Sequence, residues 1–308
     1  MISLNDYLNQ IYLDFKKYVE NSSEYCELLD LDFSKEDLPN YQKEGIVQLY
    51  LLRYAYAYLF EYKYLFQKII PPQKALQALK PIKLKILSVG CGAFLDYWGA
   101  ALASNAVNPS CVIKYTGIDP VDWKYKINPR QRDSIQFEKK NFCNFLKATV
   151  ESGKELDVNV LVFPKSIGEF SSDEFREICA LLKRCKFKCK RIVLVFSYRD
   201  CTSQRSFDMN RVAMIVDSFK NHRSISFAVS NFDRGQCNKI KSMGIRAMDS
   251  DFIYPDKIIE YIKSLSNICN KQGKTLGKCM DCAKSLSRWP ILKTTYITYS
   301  LPVIDRKE

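Results

Sequence analysis

The sequence predicts an α/β fold, with a mostly parallel seven-stranded sheet, helices on both faces and an N-terminal helical cap. Beyond residue 80, short apolar runs alternate with segments of helical periodicity, as happens where helices connect parallel strands. Two of those runs, residues 160–163 and 192–196, are apolar at every position, which is typical of strands buried on both faces. Before residue 80, the apolar residues recur at helical spacing.

The predicted cap or lid spans residues 1–80. Its first helix shows apolar spacings of three and four, at Tyr7, Leu8, Ile11, Tyr12, Phe15 and Tyr18. Ser34 and Asp37 stand where an N-cap and the acid of a capping box are expected. A long helix over residues 43–69 ends before Pro71 and Pro72. Six tyrosines on it either pack the cap onto the sheet or shape an aromatic substrate pocket: Tyr50, Tyr54, Tyr56, Tyr58, Tyr62 and Tyr64.

The second predicted unit, residues 81–308, holds the sheet. We expect strands at residues 84–89, 112–118, 135–138, 158–163, 191–196, 224–229 and 294–303. The helices between them are expected at residues 95–105, 142–152, 172–184 and 209–220. Residues 231–293 interrupt this alternation because they are rich in Lys, Ser, Asn and Cys. We interpret them as a basic, cysteine-containing insertion with one helix near residues 256–268.

Two glycines and an acid follow the first two predicted strands. Gly90 and Gly92 stand between a strand and a helix, where glycine permits a tight turn and close backbone approach to a ligand. Asp119 ends the next strand, and its carboxylate can accept hydrogen bonds from both hydroxyls of a ribose. The pyrophosphate of a dinucleotide requires a third glycine, which would stand at position 95. This chain has Leu95 there, which argues against a dinucleotide cofactor. The alternative is that both segments are ordinary turns.

These residues, Ser88-Val89-Gly90-Cys91-Gly92 and Gly117-Ile118-Asp119, resemble the class I S-adenosylmethionine-dependent methyltransferases. The resemblance covers roughly residues 83 to 230 and the closing strand. It implies a Rossmann-like fold, S-adenosylmethionine as cofactor and methyl transfer as activity. It also implies the cofactor-contacting positions, which are Ser88, Gly90, Cys91, Gly92, Asp96, Asp119, Pro120, Asn141, Phe142, Phe163 and Pro164.

The chain departs from the family pattern at two positions of the first motif. Ser88 stands where the family has an acid, and Phe94 stands where it has a third glycine. The first departure removes the usual contact to the amino group of the cofactor. Asp96, a few residues further on, can supply that negative charge.

Methyl transfer from a sulfonium is a direct displacement, in which the enzyme chiefly positions the nucleophile. The candidate catalytic residues are Lys165 and Glu169 after the fourth strand and Tyr198 after the fifth. Glu169 has an alternative interpretation, since acids are favoured ahead of a helix. The acceptor is a small molecule, RNA or protein. The alternative function is a non-catalytic protein that binds S-adenosylmethionine or another nucleotide, or a partner, and retains the fold.

The cysteines of the predicted insertion include one Cys-x-x-Cys pair, Cys279 and Cys282. With Cys269 and Cys237, this pair supplies four thiolates for a zinc or iron–sulfur site. No second Cys-x-x-Cys pair exists in the chain, so reduced thiols are the alternative interpretation.

The chain carries a formal net charge of +13, which favours an acidic partner such as RNA, DNA or an anionic surface. Many soluble proteins are simply basic, which is the alternative. The apolar stretch at residues 45–70 contains four charged side chains, so no membrane span is expected. The N-terminus does not read as a secretory signal, and we expect a cytoplasmic protein. The only histidine, His222, is expected at the surface.

Overall fold

The computed structural model describes residues 1–21, 28, 39–71, 82–198, 202–223, 227–230, 252–268, 290 and 299–307. Within these residues the helices are α1 (Leu4–Asn21), α2 (Glu44–Ile69), α3 (Leu95–Val107), α4 (Phe142–Glu151), α5 (Ser172–Leu182), α6 (Thr202–Lys220) and α7 (Asp256–Ile268). The strands are β1 (Lys83–Val89), β2 (Val112–Asp119), β3 (Ser134–Lys139), β4 (Glu155–Leu156), β5 (Val160–Pro164), β6 (Lys186–Phe187), β7 (Arg191–Ser197), β8 (Phe227–Ser230), β9 (Tyr299–Ser300) and β10 (Val303–Arg306).

Among the described residues the main sheet has eight strands, of which seven follow the order β3-β2-β1-β5-β7-β10-β8 and the two-residue β9 pairs antiparallel with β7. Strands β3, β2, β1, β5 and β7 pair in parallel, whereas β10 runs antiparallel to both β7 and β8. Because β9 and β10 are two parts of the one predicted closing strand, the predicted mostly parallel, seven-stranded sheet is confirmed. The chain leaves β1 toward β2 on one side and returns to β5 on the other. Such a reversal opens a crevice at the carboxyl ends of the strands, where ligands bind in this architecture.

The two faces of the sheet bury separate apolar cores because side chains alternate along each strand. From β1, Leu84 and Ile86 enter a core shared with α1, α2, α3 and α7. Leu87 and Val89 enter a second core, shared with α4, α5 and α6. Helices therefore cover both faces, as predicted.

Helices α1 and α2 belong to the first core rather than to a core of their own. Tyr7 of α1 packs edge-on against Trp98 of α3, with ring centroids 5.4 Å apart, and its hydroxyl donates to the Tyr125 carbonyl at 2.9 Å. Helix α2 crosses α3 at Gly99, where a Cβ atom would lie 2.5 Å from Tyr62 Cβ. Glycine is needed at this crossing because the two backbones touch. The domain boundary near residue 80 lies outside the described residues and stays a prediction.

The end of the sheet differs from the expectation. The closing strand, predicted at residues 294–303, consists of β9 and β10 on either side of Leu301 and Pro302 within the described residues. Pro302 has no N–H group to donate, and only its carbonyl joins the ladder, by accepting the Leu194 N–H at 2.9 Å. The short pair β4–β6 was not predicted, because two-residue strands leave no apolar periodicity. The predicted helix start at Ser34 lies outside the described residues.

The prediction of a surface position for His222 was wrong. This side chain is buried, and its Nε2 atom lies 2.6 Å from the Cys185 carbonyl oxygen. The polar neighbours of His222 in the sequence concealed a structural contact that closes the end of α6.

No helix among the described residues is both long and apolar enough to cross a membrane. The cysteines described there are unpaired thiols, and all except Cys189 are buried.

We predict that Gly99→Ala lowers the free energy of unfolding by about 1–3 kcal/mol, although alanine favours helix more than glycine does. The added methyl group meets the backbone of α2 and cannot be accommodated by a side-chain rotation. Urea unfolding measures the effect. Ala106→Leu, on the exposed side of the same helix, is the control and should change stability by less than about 0.5 kcal/mol. Equal stability of wild type and Gly99→Ala would contradict the close α2–α3 contact.

Candidate active site

The glycine loop after β1 turns sharply at the crevice. The N–H groups of Gly90 and Cys91 both donate to the Ile118 carbonyl, at 2.8 and 3.2 Å. Gly90 and Gly92 have φ values of 73° and 52°, in the left-handed region that favours glycine. A Cβ on Gly90 would lie 2.6 Å from Ser166 Cβ, so this glycine lets the loops after β1 and β5 touch. Phe94 also adopts a positive φ, of 65°, where α3 begins.

Asp119 at the end of β2 connects this loop to the next one. Its Oδ2 accepts the Gly92 N–H at 2.9 Å and its Oδ1 accepts the Val121 N–H at 2.8 Å. Burial raises the pKa of Asp119, and these two backbone hydrogen bonds oppose the rise. Each carboxylate oxygen has a second lone pair. The side chain can therefore hold the loops and still accept hydrogen bonds from a ligand.

Asp96 lies in the first turn of α3 and is almost completely buried. Its Oδ1 accepts the Tyr115 hydroxyl at 2.8 Å. Burial raises the pKa of Asp96 to about 6, and the nearby Ser88 and Tyr115 hydroxyls oppose that rise. Oδ2 has no well-aligned hydrogen-bond donor among the described residues. A buried carboxylate of this kind is stabilised in its ionised form by a cation.

A cavity of about 330 Å³ lies at the carboxyl ends of β1, β2 and β5. A cavity of this volume can hold a small molecule or cofactor. It brings together most of the residues predicted from the sequence, which are Gly90, Cys91, Gly92, Asp96, Asp119, Pro120, Asn141, Phe142, Pro164, Lys165 and Glu169.

Three predicted site residues do not line this cavity. Ser88 is fully buried beneath the glycine loop, beside Asp96. Phe163 points into the second core and stacks on Phe196, with centroids 5.1 Å apart. Tyr198 also enters the second core, and its hydroxyl donates to Ser300 Oγ at 2.7 Å. The expected direct contacts of these side chains with cofactor or substrate are therefore corrected, since each faces the protein interior.

Helix α2 provides the roof of the cavity, on the side where the sequence predicts a cap or lid. Tyr50, Tyr58 and Tyr62 line the cavity together with Trp123 from the loop after β2. Tyr50, Tyr54, Tyr58 and Tyr62 recur every fourth residue, which places them on one side of the helix. Tyr56 instead stacks on Phe252, and Tyr64 packs edge-on against Tyr299. Tyrosines on one face of α2 therefore line the cavity, while others pack the cap, and the predicted substrate pocket stays a prediction.

A buried ion pair joins the roof to the sheet. Lys165 Nζ lies 2.9 Å from Glu61 Oε1 of α2 and donates to the Tyr198 carbonyl at 2.9 Å. Glu61 also accepts the Ser197 hydroxyl. The ammonium stands over the Tyr58 ring, 4.8 Å from its centroid. Lys165 has a φ of 61°, so the chain holds an unfavourable backbone conformation where this contact forms.

Glu169 ends a short 3-10 turn (Ile167–Glu169) between β5 and α5. Arg211 of α6 supports this segment from behind by donating to the carbonyls of Ile167 and Phe170, at 2.9 and 2.7 Å. Gly168 faces Asp208, whose Oδ1 would lie 2.5 Å from a Cβ at that position. The backbone that carries Glu169 is thus held by side chains of a helix distant in sequence.

Asn141 and Phe142 form the edge of the cavity beyond β3. The Asn141 side chain caps α4 by accepting the Cys143 N–H at 2.8 Å, and its amide group donates to Glu174. Each polar atom of the Asn141 side chain therefore has a partner within the protein, and the Phe142 ring packs into the second core.

The predicted metal ligands Cys237, Cys269, Cys279 and Cys282 lie outside the described residues, and the zinc or iron–sulfur site stays a prediction. In the part of the chain that the structure describes, no group of three or more His, Cys, Asp or Glu side chains has the arrangement of a metal site.

We predict that Gly90→Ala lowers the free energy of unfolding by about 2–4 kcal/mol, through its positive φ and the collision with Ser166. In a Ser166→Gly background, only the backbone strain remains, and the cost should fall to about 1 kcal/mol. Urea unfolding of wild type, both single variants and the double variant gives the coupling directly. An equal cost of Gly90→Ala in both backgrounds would contradict the contact between the two loops.

No family model matches the chain, and no curated protein matches it. The chain is similar to the solved structure of the plantazolicin methyltransferase BpumL in complex with SAH, at 12% identity and a TM-score of 0.41, over 97% of this chain and 100% of that one. It is also similar to the cyclopropane synthase MmaA2 from Mycobacterium tuberculosis, at 11% identity and a TM-score of 0.37, over 96% and 98%. A SAM-dependent methyltransferase from Archaeoglobus fulgidus has 11% identity and a TM-score of 0.35, over 82% and 100%. The resemblance to class I methyltransferases implies a Rossmann-like fold. The observed strand order confirms that fold.

Proposed function

We propose that this protein is a methyltransferase that binds S-adenosylmethionine in the crevice between β1 and β5. One observation carries the proposal. The glycine loop, the Asp119 carboxylate and the buried Asp96 carboxylate converge on a single cavity at the topological reversal of the sheet.

The residues present fit this cofactor. Gly92 has no Cβ, which would lie 3.6 Å from the Trp123 ring, and Gly90 lets the loop turn against Ser166, so the backbone of the loop can approach a ligand closely. The free lone pairs of Asp119 suit the two hydroxyls of a ribose. The Asp96 carboxylate suits the ammonium group at the methionine end, because a cation there offsets the cost of burying a charge. Asn141 and Phe142 stand at the edge of the cavity where the resemblance places the adenine.

When bound, S-adenosylmethionine supplies an activated methyl group on a sulfonium. The contribution of the chain is chiefly to hold the acceptor in line with that group and to exclude water. The tyrosines of α2 cover the cavity, and the Glu61–Lys165 pair fixes α2 over the loop after β5. Lys165 therefore acts as a positioning residue. Glu169 lines the cavity and is the candidate group for taking a proton from the acceptor.

A non-catalytic protein that binds S-adenosylmethionine or another nucleotide, or a partner, is the second candidate. Two observations favour it: Ser88 replaces the acid of the first motif, and the hydroxyl of Tyr198 is engaged in the core. S-adenosylhomocysteine binding without turnover across a broad set of methyl acceptors would support this candidate over the enzyme.

We predict that wild-type protein binds S-adenosylhomocysteine in a calorimetric titration and that Asp119→Ala weakens binding by about 10- to 100-fold. The variant loses the acceptors for the ribose and leaves the Gly92 and Val121 N–H groups without Asp119. Asp173→Ala, an exposed carboxylate on α5, is the matched control and should bind as the wild type does. Circular dichroism verifies that each variant is folded. Absence of binding to the wild type would contradict the proposal.

The affinity for S-adenosylhomocysteine should depend on pH through Asp96. Because burial raises the pKa of Asp96 to about 6, the carboxyl group is protonated below that pH and loses its attraction for the ligand ammonium. Affinity should therefore fall as pH decreases below about 6, by up to about tenfold per pH unit. Asp96→Asn should bind more weakly at neutral pH and show a shallower decline with pH. The same steep decline in both proteins would exclude Asp96 as the ammonium contact.

A further inference from the structure

The charge inside the cavity is opposite in sign to the charge of the chain. The whole sequence has a formal net charge of +13. The described cavity lining nevertheless holds the carboxylates of Asp96, Asp119, Glu169 and Glu174 against only two ammonium groups. A cleft lined by one sign of charge attracts ligands of the opposite sign.

The positive charges of both lysines that line the cavity are neutralised by acidic side chains outside the lining. Lys165 pairs with Glu61 at 2.9 Å, and Lys140 pairs with Glu138 at 3.3 Å. The buried Arg211 lies behind the Glu169 loop, and its guanidinium donates to two backbone carbonyls. The described lining therefore provides no excess positive charge with which to bind a phosphate group.

The aromatic roof adds a second preference for cations. The ring faces of tyrosine and tryptophan attract ammonium groups within about 6 Å of the ring centroid. Within this protein, the Lys165 ammonium already occupies such a position, 4.8 Å from the centroid of Tyr58. Tyr50 and Trp123, with centroids 5.5 Å apart, offer further aromatic surface to the same cavity.

We propose that the methyl acceptor is a basic amine, bound between the tyrosines of α2 and the carboxylates of Glu169 and Glu174. This inference rests on the proposed function, which assigns Asp96 and Asp119 to the cofactor and leaves these two glutamates facing the acceptor. The basic character of the whole chain suggested nucleic acid as a partner, but the interior of the cavity has the opposite character. A protonated amine is attracted both by the carboxylates and by the aromatic ring faces of the cavity.

With an amine acceptor, Glu169 has the role of proton acceptor. An ammonium group must lose a proton before its nitrogen lone pair can attack. The lone pair then forms one nitrogen–carbon bond as the sulfur–carbon bond breaks, and the electrons of that bond remain on sulfur. Glu169 attracts the ammonium group and accepts the proton that it loses.

Calorimetry on protein saturated with S-adenosylhomocysteine tests the inference with two isosteric probes, phenethylamine and 3-phenylpropionate. The amine should bind at least about tenfold more tightly than the carboxylate. Glu169→Gln should reduce this preference severalfold, while Glu151→Gln, an exposed carboxylate on α4, should leave it unchanged. Tyr50→Leu should also weaken amine binding, whereas Tyr50→Phe retains the ring and should preserve it. An acetylated Gly-Lys-Gly peptide that binds more tightly than phenethylamine would assign the amine to a protein side chain.

The outcomes separate this inference from the proposed function. If S-adenosylhomocysteine fails to bind, both the proposed function and the inference about the acceptor are overturned. If it binds but the carboxylate probe binds as tightly as the amine, only the inference about the acceptor is overturned. A uridine oligonucleotide that displaces the amine probe from the loaded protein would overturn it as well.

Discussion

The site depends on one carboxylate that receives two backbone N–H groups. Asp119 accepts from Gly92 and Val121, and thereby fixes the loop after β1 against the loop after β2. The parallel register of β1 and β2, paired along the whole length of β1, brings Asp119 to this position. The sharp turn at Gly90 and Gly92 then aims the start of α3 at the cavity, and Asp96 enters with it.

Helix α2 of the cap covers the cavity that lies at the carboxyl ends of the strands. Helix α2 is held over the crevice by the buried Glu61–Lys165 pair and by its close contact with α3 at Gly99. Breaking such a buried pair by removing one partner costs about 3–5 kcal/mol, because the remaining charge has no compensation. The pair also neutralises the ammonium group of Lys165, which lines the cavity. One interaction thus positions the roof and keeps the interior of the cavity acidic, in a chain that is basic overall.

Most elements of the sheet, and the glycine and aspartate positions, could be predicted because they depend on local periodicity and turn chemistry. Errors arose where neighbouring residues in the sequence face opposite sides of a strand. Phe163 adjoins Pro164 and Tyr198 follows β7, yet both side chains enter the second core. Position along the chain could not reveal this orientation. Both roles of the α2 tyrosines could be proposed, but which tyrosines face the cavity could not, because α2 is buried on nearly all sides and its apolar spacing does not mark that face.

The central claim is that this crevice holds the cofactor, and a crystal structure with S-adenosylhomocysteine tests it most directly. The account predicts the two ribose hydroxyls on the Asp119 carboxylate and the ligand ammonium within hydrogen-bond distance of Asp96 Oδ2. The adenine should lie at the edge of the cavity formed by Asn141 and Phe142, and the sulfur should face the tyrosines of α2. A ligand bound elsewhere, or one whose ribose makes no contact with Asp119, would contradict the account.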